Sequence, residues 1–198
     1  MRSSGNELIN PFKVLERVGI RHGWQVADMG CGALGHFVFP AAQLVGGEGK
    51  VYAVDIQKTA LHAIEKTAKY EQYWNVYPLW SDIDVVGAAR IPSASLDLTI
   101  VSNNLYLSSN RTGLVQECLR LTKPGGKILV IEWKKEKTSL GPDLKNRLSA
   151  NEAKAFFLSA ELHQVDSFEA GPEHYALVFQ RLEQNSVTEI LSVSHPIH

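Results

Sequence analysis

The segment VADMGCGALG, Val26 to Gly35, sets Gly30, Gly32 and Gly35 between a strand-like run and a helix-like one. Glycine at the first two positions lets backbone amides come close to a ligand. Glycine at the third lets the helix pack tightly on the strand. Amides at a helix start favour negative charge or hydrogen-bond acceptors. A glycine-rich turn with no ligand is the plain alternative, but two acidic residues weigh against it. Asp55 ends the next strand in VYAVDIQ, where a carboxylate can accept from both hydroxyls of a ribose. Asp82 follows the third strand in LWSDID, where its side chain can accept from an adenine amino group while the Ile83 amide donates to a ring nitrogen. Ile56 and Ser81 flank these carboxylates and are counted in the same nucleoside site. Helix capping by Asp55 and a surface-loop role for Asp82 are the corresponding bland readings. Asp28, Asp55 and Asp82 all fall at the carboxyl ends of adjacent strands, the edge where open α/β sheets bind ligands.

Gly35 to Asp55 is also the spacing of a nicotinamide-dinucleotide fingerprint, so an NAD-dependent oxidoreductase is the rival. Three features count against it. Asp28 stands two residues before Gly30, where a carboxylate repels a pyrophosphate but suits the ammonium of a methionine moiety. No tyrosine is followed four residues later by lysine, the catalytic pair of short-chain dehydrogenases. The end of the chain also departs from the standard dinucleotide fold.

The elements that must hold these residues alternate. Strands are expected at Gln25–Met29, Lys50–Val54, Asn75–Leu79, Leu96–Val101 and Lys127–Ile131, several of them apolar nearly throughout, as parallel strands covered on both faces are. Helices are expected at Phe37 to Val45, Thr59 to Tyr70 (Leu61, Ile64 and Ala68 on one face) and Arg111 to Leu121 (Leu114, Cys118 and Leu121 aligned). A lead-in helix precedes them, capped by Asn10, admitting Pro11, ended by Gly19, with Phe12, Leu15 and Val18 as its apolar stripe. Near the end, Ser149 and Glu152 form a capping box before Ala153, Phe156, Phe157 and Ala160. Strands Gln164–Glu169 and Tyr175–Gln180 follow. The link between them is too short for a crossover helix, so they must be antiparallel. The expectation is an α/β, Rossmann-like, doubly wound and mostly parallel sheet with an antiparallel final hairpin. One domain is expected over 1–182, with a polar tail over 183–198.

Composition narrows the function classes. The 198 residues suit one domain, and the 44% hydrophobic and 21% charged contents are ordinary for a globular protein. A net charge of −1 implies no strong pull toward nucleic acid or anionic membrane, although Lys134, Lys135 and Lys137 can form a local basic patch. Cys31 and Cys118 have no Cys or His at metal-ligand spacing, so no metal site is expected. The first thirty residues lack the apolar core of a signal peptide, and no run is long enough to span a membrane. A cytoplasmic protein with two free thiols is the expectation.

The set D-x-G-x-G (Asp28, Gly30, Gly32), VDIQ, SDI, SLDLTIVSNNLY and LTKPGGKILVIEW resembles the class I methyltransferases that use S-adenosylmethionine (SAM). It is most similar to the small branch related to ubiquinone/menaquinone-biosynthesis C-methyltransferases, over about Asn10 to Leu182. The resemblance implies seven strands, the last antiparallel. It implies that Gly30, Cys31 and Gly32 line the methionine and ribose, that Asp55 holds the ribose, and that Asp82 and Ile83 hold adenine. Ser102 and Asn103 would then lie beside the sulfonium and amino end. The family usually has glycine two residues after Gly32. Here that position is Leu34 and the glycine is displaced to Gly35, which leaves His36 and Phe37 less firmly placed.

Methyl transfer from a sulfonium is an in-line displacement in which position, orientation and a dry site do most of the work. No indispensable general base is therefore expected. Tyr106, Glu132, Trp133 and His36 are candidates for the acceptor pocket. Their bland readings include Trp133 covering the sheet edge and Glu132 pairing with Lys134 or Lys135. A small-molecule acceptor fits best. Base methylation would favour an (Asp/Asn)-Pro-Pro-aromatic motif where this chain has Asn103-Asn104-Leu105-Tyr106. Arsenic methylation needs more thiols than two. A non-catalytic SAM-binding protein is the remaining class. Access is expected to be governed by the N-terminal helix and the Lys134–Asn146 segment.

Overall fold

The structure is a computed structural model that describes residues 9–137, 140–158 and 161–183. Its strands are β1 (Gln25–Met29), β2 (Lys50–Asp55), β3 (Val76–Trp80), β4 (Leu96–Ser102), β5 (Thr122–Trp133), β6 (Leu162–Gly171) and β7 (His174–Arg181). They form one seven-stranded sheet in the order β3-β2-β1-β4-β5-β7-β6. The first five are parallel, and β7 runs antiparallel to both of its neighbours. Only Pro172 and Glu173 separate β6 from β7, so the hairpin expected from the short link is present. β5 is longer than its apolar run at both ends. Its register against β4 shifts between Leu96 and Leu98, where Pro124 and the two glycines interrupt regular pairing.

The helices are α1 (Pro11–Val18), α2 (Val38–Val45), α3 (Lys58–Tyr70), α4 (Arg111–Leu121) and α5 (Ala150–Phe157). Successive strand residues point to opposite faces, and both faces are covered. Val26, Val51, Leu98, Leu129 and Val178 pack in the core built with α1, α2 and α3. Ala27, Val54, Val101, Val130 and Phe179 pack in the core built with α4 and α5. The hydrophobic effect thus explains why these strands carry apolar residues at consecutive rather than alternate positions.

Local signals set the helix ends. Asn10 accepts from the Lys13 amide, and Gly19 closes α1 with φ +83°. Ser149 and Glu152 make the reciprocal capping box of α5. Two apolar assignments differ from the sequence reading. Phe12 is 37% exposed, and the buried stripe of α1 is Pro11, Val14, Leu15 and Val18. Phe156 is also exposed and meets the Arg111 guanidinium, while Ala153 and Phe157 face the core. Ala160 and the tail beyond Glu183 lie outside the described residues.

The strand order turns at the β1/β4 pair. Connections leave these two neighbours in opposite directions and open a crevice at their carboxyl ends. The far side of the sheet is anchored by α5, whose Phe157 ring stacks on Phe179 of β7 at 4.9 Å. Replacing Phe157 with Ala should cost about 3–5 kcal/mol of stability through lost burial and a residual cavity. Urea denaturation should show a lower midpoint with an unchanged slope. A loss below about 1 kcal/mol would mean that α5 contributes little to this core.

Candidate functional site

Two cavities adjoin at the crevice and share Gly30. The first, about 410 Å³, is bounded by Gly30, Gly32, Asp55, Ile56, Ser81, Asp82, Ile83 and Asn104, among others. The second, about 270 Å³, is bounded by Asp28, Gly30, Cys31, His36, Ser102, Asn103, Trp133 and His174, among others. Every residue expected to contact a nucleoside cofactor therefore borders one of the two cavities, except Gly35. Gly35 sits under α3 and α2: a Cβ there would lie 2.7 Å from Ile64 and 2.8 Å from Phe39. Its φ of +56° adds a second reason for glycine. Leu34, which takes the place usual for that glycine, is 87% exposed at the mouth of the second cavity.

The glycine loop is held from several sides. Gly30 and Cys31 donate their amides to the Val54 carbonyl at 2.8 and 3.0 Å. Gly32 donates to Asp55 Oδ2 at 2.9 Å, and Gln57 donates to Asp55 Oδ1 at 2.8 Å. Asp55 is thus a tie between the glycine loop and the turn that leads into α3. It borders the first cavity, and each carboxylate oxygen has lone-pair capacity beyond the one amide that it accepts. A Cβ on Gly32 would meet nothing within 4 Å, so this position is open, as close ligand approach requires. Asp82 Oδ1 accepts from the Asp84 amide at 2.9 Å and keeps its other oxygen available.

Asn104 and Asp84 are two of the residues around the first cavity that sequence reasoning missed, with Gln57, Leu107, Ser108 and Ser109. The Asn104 carboxamide lies 2.8–3.1 Å from the carbonyls of Met29, Gly30 and Ser102. Asp84 accepts from the side chains of Ser108 and Ser109 and from the amides of Ser109 and Asn110. Burial alone would raise its pKa, but these hydrogen bonds outweigh it and hold the carboxylate low. The loop after β4 is thereby pinned against the loop after β3. Nothing local in sequence marks these contacts, because they join Ser108, Ser109 and Asn110 to a carboxylate on a different loop.

The second cavity is rich in unsatisfied buried groups. Asp28 Oδ1, Asn103 Oδ1 and His174 Nδ1 have no hydrogen-bond partner among the described residues. Burial, then the neighbouring Asp55 charge, pushes the Asp28 carboxyl up to about 7. Asn103 adopts a left-handed backbone with φ +55°, while its amide donates to the Ile131 carbonyl. His174 faces Asn103 across 3.3 Å and packs its ring 4.0 Å from that of Trp133. Burial, then the charges of Arg147, His36 and Lys134, lowers the His174 pKa to about 4. His36 is also lowered by burial. Both imidazoles are therefore neutral near pH 7. Cys31 is pushed up by burial and by the two carboxylates, which makes its thiol a poor nucleophile.

The acceptor candidates separate. His36 and Trp133 border the second cavity. Trp133 also caps the end of β5, between His174 and the Arg147 guanidinium. Tyr106 borders a different depression, with Arg111 and Arg147. Glu132 borders neither. It is 1% exposed and accepts from the amides of Leu105 and Tyr106 at 2.8 and 3.3 Å. Burial raises its pKa to about 7 against the lowering effect of those amides. Nor does it pair with the nearby lysines: Lys134 binds Glu169 and Lys135 binds Glu152. Those two ion pairs also neutralise much of the basic patch expected there. Glu132 fastens the loop after β4 from inside, so its placement is that of a tie rather than of a substrate contact.

Known proteins share this architecture. The profile of a methyltransferase domain matches residues 20–191. The chain is 30% identical over 118 residues to the ubiquinone/menaquinone biosynthesis C-methyltransferase UbiE of Pasteurella multocida, covering 59% of this chain and 42% of that protein. It is 25% identical over 171 residues to the UbiE of Cronobacter sakazakii, covering 86% of this chain and 64% of the relative. The chain spans about half the length of the curated relatives it matches. Among solved structures, a SAM dependent methyltransferase from Aquifex aeolicus superimposes with a TM-score of 0.84 at 26% identity, covering 91% of this chain and 94% of that one. A profile match over most of the chain, together with that shared fold, leads to one assignment: this chain belongs to the methyltransferase domain family.

Proposed function

We propose that the chain is a SAM-dependent methyltransferase acting on a small-molecule acceptor in the cytoplasm. The observation that carries this reading is Asp28: a buried carboxylate with an unpartnered oxygen, at the inner end of a glycine loop that opens onto a nucleoside-sized cavity. An ammonium answers that carboxylate; a pyrophosphate does not. In this reading Asp82 and Ile83 hold adenine, and Asp55 and Ile56, with Ser81, surround the ribose. Gly30, Gly32, Cys31, Ser102 and Asn103 line the path to the amino-acid end. Relatives named as C-methyltransferases of quinone biosynthesis support a small-molecule acceptor.

SAM supplies the activated methyl group when bound. The chain's own contribution is orientation and dryness. Asp55 and Asp28 hold two ends of one ligand, so the span between them is fixed. Trp133, Phe37 and the neutral His36 and His174 wall the second cavity without adding charge. No side chain is assigned as an indispensable general base. Calorimetry decides the cofactor: SAM and its demethylated product should both bind, and NAD should not. Micromolar NAD affinity with no response to SAM would overturn the assignment. Turnover with a broad acceptor panel separates an enzyme from a SAM-binding protein without activity.

The Asp28 carboxyl gives SAM binding a pH signature. Its pKa is about 7 in the free protein, and an ammonium partner lowers it in the complex. Affinity is then full above pH 7 and is lost as pH falls through 7, by up to about tenfold per unit. Binding should therefore tighten between pH 5.5 and 7.5, and Asp28→Asn should flatten the dependence and weaken binding throughout. A wild-type dissociation constant indifferent to pH over this range would exclude the Asp28–ammonium pairing.

Asp55→Ala should weaken SAM binding by about 2–4 kcal/mol, since the ribose hydroxyls lose a charged acceptor. The same change orphans the Gly32 and Gln57 amides, so stability should fall as well, by about 1–3 kcal/mol. Calorimetry below the melting temperature and thermal unfolding measure the two effects separately. Lower stability with unchanged affinity would reduce Asp55 to a loop tie.

A further inference from the structure

We propose that His174, with Asn103 beside it, anchors the methyl acceptor through an uncharged hydroxyl group. This rests on the methyltransferase reading and names a residue that holds the acceptor at the same site. His174 opens β7 and is 1% exposed, yet it borders the second cavity. Its Nε2 faces the Asn103 carboxamide nitrogen at 3.3 Å. A carboxamide nitrogen donates and does not accept, so Nε2 is the accepting nitrogen and the ring hydrogen sits on Nδ1. That Nδ1 has no partner among the described residues, and neither has Asn103 Oδ1. One donor and one acceptor thus stand unused on two groups that already face each other. Turning the carboxamide over exchanges their roles and leaves the same complement.

Comparable buried polar groups are spent on the fold itself. Asn75 gives its carboxamide nitrogen to the carbonyls of Ala42 and Gly46. Tyr175, the neighbour of His174, gives its hydroxyl to the Leu148 carbonyl. A side chain that only packed its ring against Trp133 would need neither imidazole nitrogen. A buried donor left open beside a cavity is instead the mark of a group kept for a ligand.

Place along the sheet edge assigns the pair to the acceptor rather than to the cofactor. Asp28, Asp55 and Asp82 belong to β1, to β2 and to the loop after β3. His174 lies on the other side of β1, three strands along in the order β1-β4-β5-β7, which is roughly 14 Å at the usual strand spacing. The amino-acid end of the cofactor has nearer partners. Asp28 answers its ammonium, and the first amides of α2, whose N-cap Phe37 supplies no side-chain bond, answer its carboxylate. The surroundings select an uncharged group. Burial, then the charges of Arg147, His36 and Lys134, keeps His174 neutral, and Asp28 repels an anion from the same cavity. A hydroxyl accepts from the Nδ1 hydrogen and donates to Asn103 Oδ1, with Trp133 and Phe37 as apolar walls.

The test uses the full chain, isotope-labelled at the histidine ring nitrogens and loaded with S-adenosylhomocysteine. Phenol and toluene are the probes, since they differ by one hydroxyl. Phenol should bind saturably and shift the His174 ring-nitrogen resonances; toluene should move them far less. In His174→Phe, which keeps an aromatic ring beside Trp133, the ratio of phenol to toluene affinity should fall by about fivefold, the worth of one hydrogen bond. His174→Asn, whose carboxamide nitrogen takes the place of Nδ1, should recover part of that ratio. Phenol that does not bind, or that binds without moving the His174 resonances, overturns the proposal while the methyltransferase reading stands. A ratio that His174→Phe leaves unchanged does the same. So does a His174→Phe loss confined to S-adenosylhomocysteine affinity, which would make His174 a cofactor contact. A wild-type chain that binds no S-adenosylhomocysteine removes the methyltransferase reading, and this assignment with it.

Discussion

The crevice closes on one seam, the Asn104 carboxamide lodged between the ends of β1 and β4 and bordering the first cavity. Its nitrogen reaches the carbonyls of Met29, Gly30 and Ser102, groups that diverging strands would otherwise leave without partners. The seam exists only because residue 30 is glycine. A Cβ there would lie 2.5 Å from the Asn104 carboxamide, and the backbone holds φ +83°. The glycine motif is thus needed twice, for close approach of a ligand and for closing the crevice beneath it. Asp55 and Asp84 extend the same logic to neighbouring loops. Each uses one carboxylate to collect amides or hydroxyls from segments distant in sequence.

This way of ordering loops has an energetic consequence. Asp28 and Glu132 are carboxyls buried to within a few per cent of complete exclusion, and burial raises both to about 7. Folding therefore works against ionising them, so the stability they leave intact at low pH is lost as pH rises through 7. Glu132 recovers part of that cost from two backbone amides. Asp28 Oδ1 recovers nothing from the described residues. The asymmetry separates a carboxylate that the fold satisfies from one that it leaves with an open oxygen, and it does so without reference to where either lies in a motif.

The sheet was legible in the sequence because strand polarity is a local property. Apolar runs bounded by turn residues place each strand within a few residues, and the two-residue link before His174 dictates the final hairpin. Amphipathic helices were less secure where one aromatic can sit on either side of a boundary, as Phe12 and Phe156 show. The first cavity was also legible, because its residues follow strand ends one after another. The second was legible in part. Asp28, Cys31, Ser102 and Asn103 also lie at or just after strand ends, but His174 comes from an element that is a neighbour only in the folded sheet, meeting Trp133 through the β5–β7 register. Nothing near His174 in sequence marks it. Glu132 misled for the same reason, since its partners are backbone amides, which leave no signature in side-chain type.

The two adjoining cavities differ in what they ask of a ligand, and the difference matches the proposed one. The first presents two acceptors, Asp55 and Asp82, which suit hydroxyl and amino donors. The second presents the Asp28 carboxylate among Phe37, Trp133 and two neutral imidazoles, which suits a cationic end and little else that is charged. Under the proposed reading, one nucleoside with an amino-acid tail answers both demands, because the two cavities share Gly30. Such an arrangement needs no moving part, because Glu132 and Asp84 already fix the loop after β4 that borders the crevice.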